Sequence, residues 1–176
     1  MDTITGFFGV GLPPTGTADP YALRRQALGV INIILARRYT LPLDFLIEES
    51  LKLLDSTLKR PAAEIKKDVC DFFAGRYQNQ LIAQGYAYDT VEAVFAGGLT
   101  DLVLAAEKIK ALQAFRANPE FEPVSIAFKR VDNILKDFQS PCVDTALFAT
   151  AAEKNLYSAL GEIRQRIIAG MEKNDY

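Results

Sequence analysis

Lys129, Asn133 and Lys136 stand at i, i+4 and i+7, so on a helix they share one face. Two ammonium groups with an amide between them suit the phosphates of a nucleic-acid backbone and one base edge. Arg130 adjoins Lys129, and Arg116 lies just before the preceding turn, where it can join them. Arg24-Arg25 form a second cationic pair near the start of the chain. A blander reading competes with each. The lysines can sit on a solvated face balanced by Asp132 and Asp137, and one early arginine can pair with a carboxylate such as Asp19.

Other chemistry is excluded more firmly. The chain has no histidine, which removes the commonest general base, the commonest zinc ligand and every Ser-His or Cys-His nucleophile pair. Its two cysteines, Cys70 and Cys142, are far apart and make neither a zinc site nor a disulfide framework. Cys70 sits beside an apolar helix face and is expected to be a buried small hydrophobe. Glu48-Glu49, Glu120 and Glu122 lack the spacing of a metal site or an acid/base pair. Gly9-Val10-Gly11 and Gly16 suggest a phosphate loop, but such a loop needs Lys-Ser/Thr after its last glycine and a strand before it. Thr17-Ala18 follow instead, so this is an inter-helix loop. Its hydroxyls and amides, lying ahead of a helix N-terminus, could still meet an RNA phosphate. Tyr86 and Tyr88 are candidates for stacking on unpaired bases, against the ordinary alternative of packed rings with wet hydroxyls.

The bulk numbers fit one domain or two small ones. At 176 residues, 49 % hydrophobic and 24 % charged, the composition is that of ordinary globular material. No apolar run approaches the ~20 residues of a membrane span, and no signal-peptide pattern stands at the N-terminus. Net charge is −2 and the sequence pI about 5.3, which argues against a protein coated by nucleic acid. Residues 1–60 carry seven basic and six acidic side chains, and 61–176 carry thirteen and sixteen. Any RNA contact must therefore use a local patch.

The elements that position these residues are all helices; no segment alternates as a strand does. Asp19 as N-cap and Pro20 at the first helical position start one helix, with Leu23, Ala27, Val30, Ile31 and Ile34 in step. A second begins near Pro42 and uses Leu43, Leu46, Ile47, Leu51, Leu54 and Leu58 until Pro61 interrupts it. A third runs from about Ala63 to Gln84, with Ile65, Val69, Phe72, Phe73 and Leu81 inward and Gly85 as its stop. A short helix spans about Asp89 to Ala96, another about Thr100 to Phe115 with Leu102, Ala106, Ile109 and Leu112 in step. After the turn at Asn118-Pro119 and Glu122-Pro123 comes an apolar stripe of Val124, Phe128, Val131, Leu135 and Phe138, ended by Ser140-Pro141. A last helix runs from about Ala151 to Met171.

Several stretches carry a resemblance. The segment from Pro14-Thr15-Gly16-Thr17-Ala18-Asp19-Pro20 through Tyr21-Ala22-Leu23-Arg24-Arg25-Gln26-Ala27-Leu28-Gly29 resembles the bacterial glycyl-tRNA synthetase β-subunit toward its C-terminal side. A hundred residues on, Ala114-Phe115-Arg116, Asn118-Pro119-Glu120-Phe121-Glu122 and Ala127-Phe128-Lys129-Arg130-Val131-Asp132-Asn133-Ile134-Leu135 resemble the same family in the expected order. Gly75-Arg76 and Ala151-Ala152-Glu153-Lys154-Asn155-Leu156-Tyr157 also fit, so the resemblance covers essentially the whole chain.

The resemblance implies an all-α fold. Residues 1–60 would be the end of an HD-like helical region and a linking helix, and 61–176 an anticodon-binding bundle of the DALR type lacking its last helices. HD domains, where active, hold a metal with His-Asp pairs, and no histidine is present here. The implied role is tRNA recognition within a heterotetrameric α2β2 glycine–tRNA ligase in the cytoplasm. The α-subunit would use ATP and magnesium for catalysis, and this chain would carry no catalytic residue, metal or cofactor. Its partners would be glycine tRNA and the α-subunit, without membrane or DNA. The resemblance also raises the weight of Lys129, Arg130, Asn133, Lys136, Arg116, Arg24 and Arg25 as RNA contacts. The rival class is a non-catalytic helical interaction module that binds no RNA. Ile4, Phe7 and Phe8 read as the tail of a helix whose beginning is missing, which would leave apolar surface uncovered at both ends of an excised fragment.

Overall fold

A computed structural model describes residues 1–136 and 143–172. Eight α-helices account for most of it: α1 Asp2–Gly9, α2 Leu23–Arg37, α3 Leu43–Leu54, α4 Ala62–Ala83, α5 Tyr88–Ala96, α6 Leu102–Arg116, α7 Phe121–Leu135 and α8 Ala151–Glu172. No strand occurs among the described residues; a lone antiparallel bridge joins Thr15 to Ala18. The all-α expectation therefore holds.

The chain divides into two compact units, Met1–Gln113 and Ala114–Tyr176. The first holds the core, and α4 is its axis. Ile65, Val69, Phe73, Tyr77 and Leu81 recur every four residues along α4 and are all buried. This ridge meets α1, α2, α3 and α5. Helices on both sides of residue 60 thus share one core: Phe8 of α1 lies 5.2 Å from Phe72 of α4, centroid to centroid. The Tyr77 hydroxyl donates to the Leu102 carbonyl at 3.0 Å, which satisfies the one polar atom of the largest buried side chain. Gly85, at φ +96, takes the left-handed conformation that stops α4.

Some sequence expectations are corrected here. Helix α2 starts at Leu23, not Pro20, because Ala22 adopts φ +54 and breaks the helical path. Asp19 still caps it from a distance: its carboxylate accepts from the Leu23 amide at 2.8 Å and the Arg24 amide at 3.0 Å. The apolar face of α1 is covered. Ile4 and Phe8 lie in the core, and Phe7 stacks on Tyr21 at 4.1 Å. Cys70 is half-buried; its thiol donates to Asp44 Oδ1 at 3.4 Å, and burial, then the Asp44 carboxylate, push its pKa up to about 11. On α6 the buried alanine is Ala105, and Ala106 is only half-buried.

The second unit contrasts with the first. The apolar stripe of α7 is exposed: Val124, Phe128, Val131 and Leu135 range from 41 % to 74 % accessible. Helix α8 likewise exposes Leu156, Leu160, Ile163, Ile167 and Met171. Periodicity correctly marks these as helices, but among the described residues no element of the unit covers their apolar faces. Phe138, Ser140, Pro141 and Cys142 lie outside the described residues.

Candidate nucleic-acid interface

On α7, successive side chains advance by about 100°, because the helix has ~3.6 residues per turn. Lys129 and Asn133 consequently stand one above the other, and Lys136, at the C-terminal boundary, continues the row. All three are exposed, as is Arg130. The apolar stripe occupies a different face, so none of the three supports packing. Lys129, Arg130 and Lys136 form no ion pair among the described residues. Asp132 is exposed on the same helix, and Asp137 lies outside the described residues.

Arg116 ends α6 in the same unit and lines a shallow groove with Asn118, Pro119, Phe121, Glu122 and Ser125. The turn between is fixed by Asn118, whose Oδ1 accepts from the Glu120 amide at 2.9 Å, and by Phe115 set edge-on to Phe121 at 5.4 Å. The structure thus gathers Arg116 and the α7 residues into one unit. It places Arg24 and Arg25 in the other.

In the first unit the early loop is clamped. Arg24 donates through Nη2 to the Gly16 carbonyl at 2.7 Å, and Thr15 and Ala18 exchange backbone hydrogen bonds. Two amides at the start of α2, those of Leu23 and Arg24, are taken by Asp19. Arg24 is therefore engaged in holding the loop, while Arg25 is exposed. Of the two tyrosines, Tyr86 packs against the core, and Tyr88 is exposed with its hydroxyl 3.5 Å from Glu92.

One set of residues escaped the motif reading. Arg76 and Gln80 follow Phe72 at four-residue steps on the side of α4 that meets α2. Gln80 Nε2 donates to Asn32 Oδ1 of α2 at 2.8 Å, which sets the seam between the two helices at the surface. Arg76 lies over the Phe72 ring, 5.9 Å from its centroid. A signal was present in the sequence: α2 contains no acidic residue, and neither does α4 from Phe72 to Ala83. Only the fold shows that these two acid-free segments adjoin.

Comparison with known proteins decides the family. Residues 1–96 match the family described as glycyl-tRNA synthetase beta subunit. The chain belongs to the glycyl-tRNA synthetase beta-subunit family. That match spans α1 to α5. Across its whole length the chain is 57 % identical to the glycine–tRNA ligase beta subunit of Syntrophus aciditrophicus. It is 52 % identical to that of Citrifermentans bemidjiense and 51 % to that of Geobacter sulfurreducens, again over all 176 residues. In each case it covers 26 % of the relative, so it spans about a quarter of the length of these beta subunits. No helix among the described residues is long and apolar enough to cross a membrane.

Proposed function

We propose that this chain is a tRNA-binding portion of the beta subunit of a cytoplasmic glycine–tRNA ligase. The observation that carries this is the similarity to named beta subunits over every one of its 176 residues. The name beta subunit implies a partner, and an α2β2 assembly is the arrangement the family resemblance points to. Catalysis, with ATP and magnesium, then lies with the α-subunit. The chain offers no histidine for proton transfer, and its contribution is recognition. Within it, the HD-like end precedes an anticodon-binding bundle of the DALR type, to which α7 belongs.

The α7 face performs that recognition by charge and shape. Lys129 and Lys136 meet phosphates, which fix register but carry no sequence information, and Asn133 is placed to meet a base edge, which does. Arg130 and Arg116 extend the positive surface. The names of the relatives favour this over an interaction module that binds no RNA.

The test is tRNA binding against salt in the full-length enzyme carrying Lys129→Ala, Asn133→Ala or Lys136→Ala. Each lysine variant weakens binding and lowers the salt slope by about 0.7, the release expected per single-strand phosphate. Asn133→Ala changes the preference between glycine tRNA and a tRNA with an altered anticodon. All three fold normally, since exposed substitutions usually stay within ~0.5 kcal/mol. Unchanged affinity and slope in all three, with intact folding, would remove α7 from the interface.

A further inference from the structure

We infer that the α2–α4 seam of the first unit is a second RNA-backbone contact, centred on Arg76 and Arg25. The inference rests on the tRNA-binding role proposed above and adds a surface on a unit that α7 does not belong to.

Charge is distributed unevenly over this unit. Along α3 and the first half of α4, cations and acids alternate and neutralise one another: Lys66 pairs with Glu48 at 2.6 Å, Lys67 with Asp71 at 2.8 Å and Arg60 with Asp68 at 2.6 Å. Along the seam this pattern stops. Its charged side chains are Arg24, which holds the Gly16 carbonyl, and Arg25 on α2 and Arg76 on α4, with Asn32, Asn79 and Gln80 as its amides. None of these three arginines forms an ion pair among the described residues. Two acids engage the ends of α2 and neither pairs with these arginines: Asp19 caps the Leu23 and Arg24 amides, and Glu107 of α6 pairs with Arg38 just past the C-terminal end.

The geometry makes the seam a track. Phe7 meets Tyr21 just before α2, Phe8 meets Phe72, and Asn32 meets Gln80 further along. The neighbouring α1 residues Phe7 and Phe8 thus mark the near end of both segments, at Tyr21 and Phe72, and the direct Asn32–Gln80 contact lies further along each, so α2 and this half of α4 travel in the same direction. Arg25, Gly29 and Asn32 share a face of α2 at i, i+4 and i+7. A seven-residue step on a helix covers about 10 Å, so the donors form a row of that length, with Arg76 one turn back from Gln80. Gly29 leaves open space at its position, as does Gly75, so a ligand backbone can approach between the cations. Arg76 is oriented before any ligand arrives, because its guanidinium lies on Phe72. A planar, pre-oriented guanidinium with free donors and no carboxylate suits a phosphodiester. Flanking amides without acids are what a polyanion needs and what a water-solubilising face does not.

The experiment is tRNA binding against salt in the full-length enzyme with Arg25→Ala, Arg76→Gln and the double variant. Lys67→Ala, on the ion-paired side, serves as control. The double variant is expected to bind glycine tRNA about tenfold more weakly near physiological salt, with a salt slope lower by about 1.4 to 1.8, two phosphates' worth. Lys67→Ala leaves both unchanged. Arg25 is exposed and off the core, so its single variant keeps the test valid if Arg76→Gln lowers stability. Wild-type affinity and slope in Arg25→Ala and the double variant, with the α7 variants still weakened, would overturn this seam and leave the tRNA-binding role intact. Failure of the unsubstituted enzyme to bind tRNA would overturn both. Loss of the partner subunit with an unchanged salt slope would assign the seam to an acidic protein surface instead.

Discussion

Replacing Phe73 with alanine lowers the stability of residues 1–113 by about 3–5 kcal/mol, the cost of emptying a fully buried aromatic site. Phe73 is completely buried in the middle of the α4 ridge, between Val69 and Tyr77, and sets its ring edge-on to Phe72. Val69 and Tyr77 flank it on the same long helix and cannot collapse into the space without moving the ridge that meets α1, α2, α3 and α5. A domain of this size is stabilised by only about 5–15 kcal/mol, so the variant is expected to be partly unfolded at 37 °C. Denaturant unfolding followed by helical circular dichroism measures it. Ile33→Ala, at a 60 % exposed position of α2, is the matched control and shifts stability by no more than ~0.5 kcal/mol. Equal midpoints for the two variants would mean that α4 is not the axis of the core.

Asp19→Ala costs about 1–2 kcal/mol, at the upper end of what removing a helix cap does. Its carboxylate closes two backbone amides at once, those of Leu23 and Arg24. Leu23 is buried, so its amide has poor access to replacement water. The same substitution loosens the loop, because Arg24 holds the Gly16 carbonyl and Ala22 must keep its left-handed turn. Faster hydrogen exchange at Leu23 and Arg24, with α4 amides unaffected, is the expected signature. Unchanged exchange at those two amides would show that Asp19 is not their cap.

The same residues show how much could be read before the fold was known. The α4 ridge was readable because Ile65, Val69, Phe73 and Leu81 recur at helical spacing. Tyr77 belongs to the same ridge, but spacing alone does not bury a tyrosine, since its hydroxyl depends on the Leu102 carbonyl, a partner 25 residues away. The start of α2 was misplaced because Asp19-Pro20 is a normal helix opening and nothing local marks Ala22, which is not glycine, for a positive φ. The α7 row of Lys129, Asn133 and Lys136 was readable from spacing alone. What covers the apolar stripe beside it was not, because periodicity names a face without naming its partner. The α2–α4 seam was hidden for a related reason. Its signal is a shortage of acids in two segments some forty residues apart, and only packing turns that into one surface.

Hydrogen exchange of the full-length enzyme, with and without glycine tRNA, tests the central claim that this chain touches tRNA. Backbone amides of α7 around Lys129 to Leu135 are expected to become protected when tRNA binds, as are those of α2 beside Arg25 and Asn32. The α3 amides around Glu48 to Lys52, on the ion-paired side, are expected to stay as they were. Saturating tRNA that leaves every helix from α1 to α8 unchanged, while protecting other parts of the enzyme, would contradict the claim and place recognition outside these 176 residues.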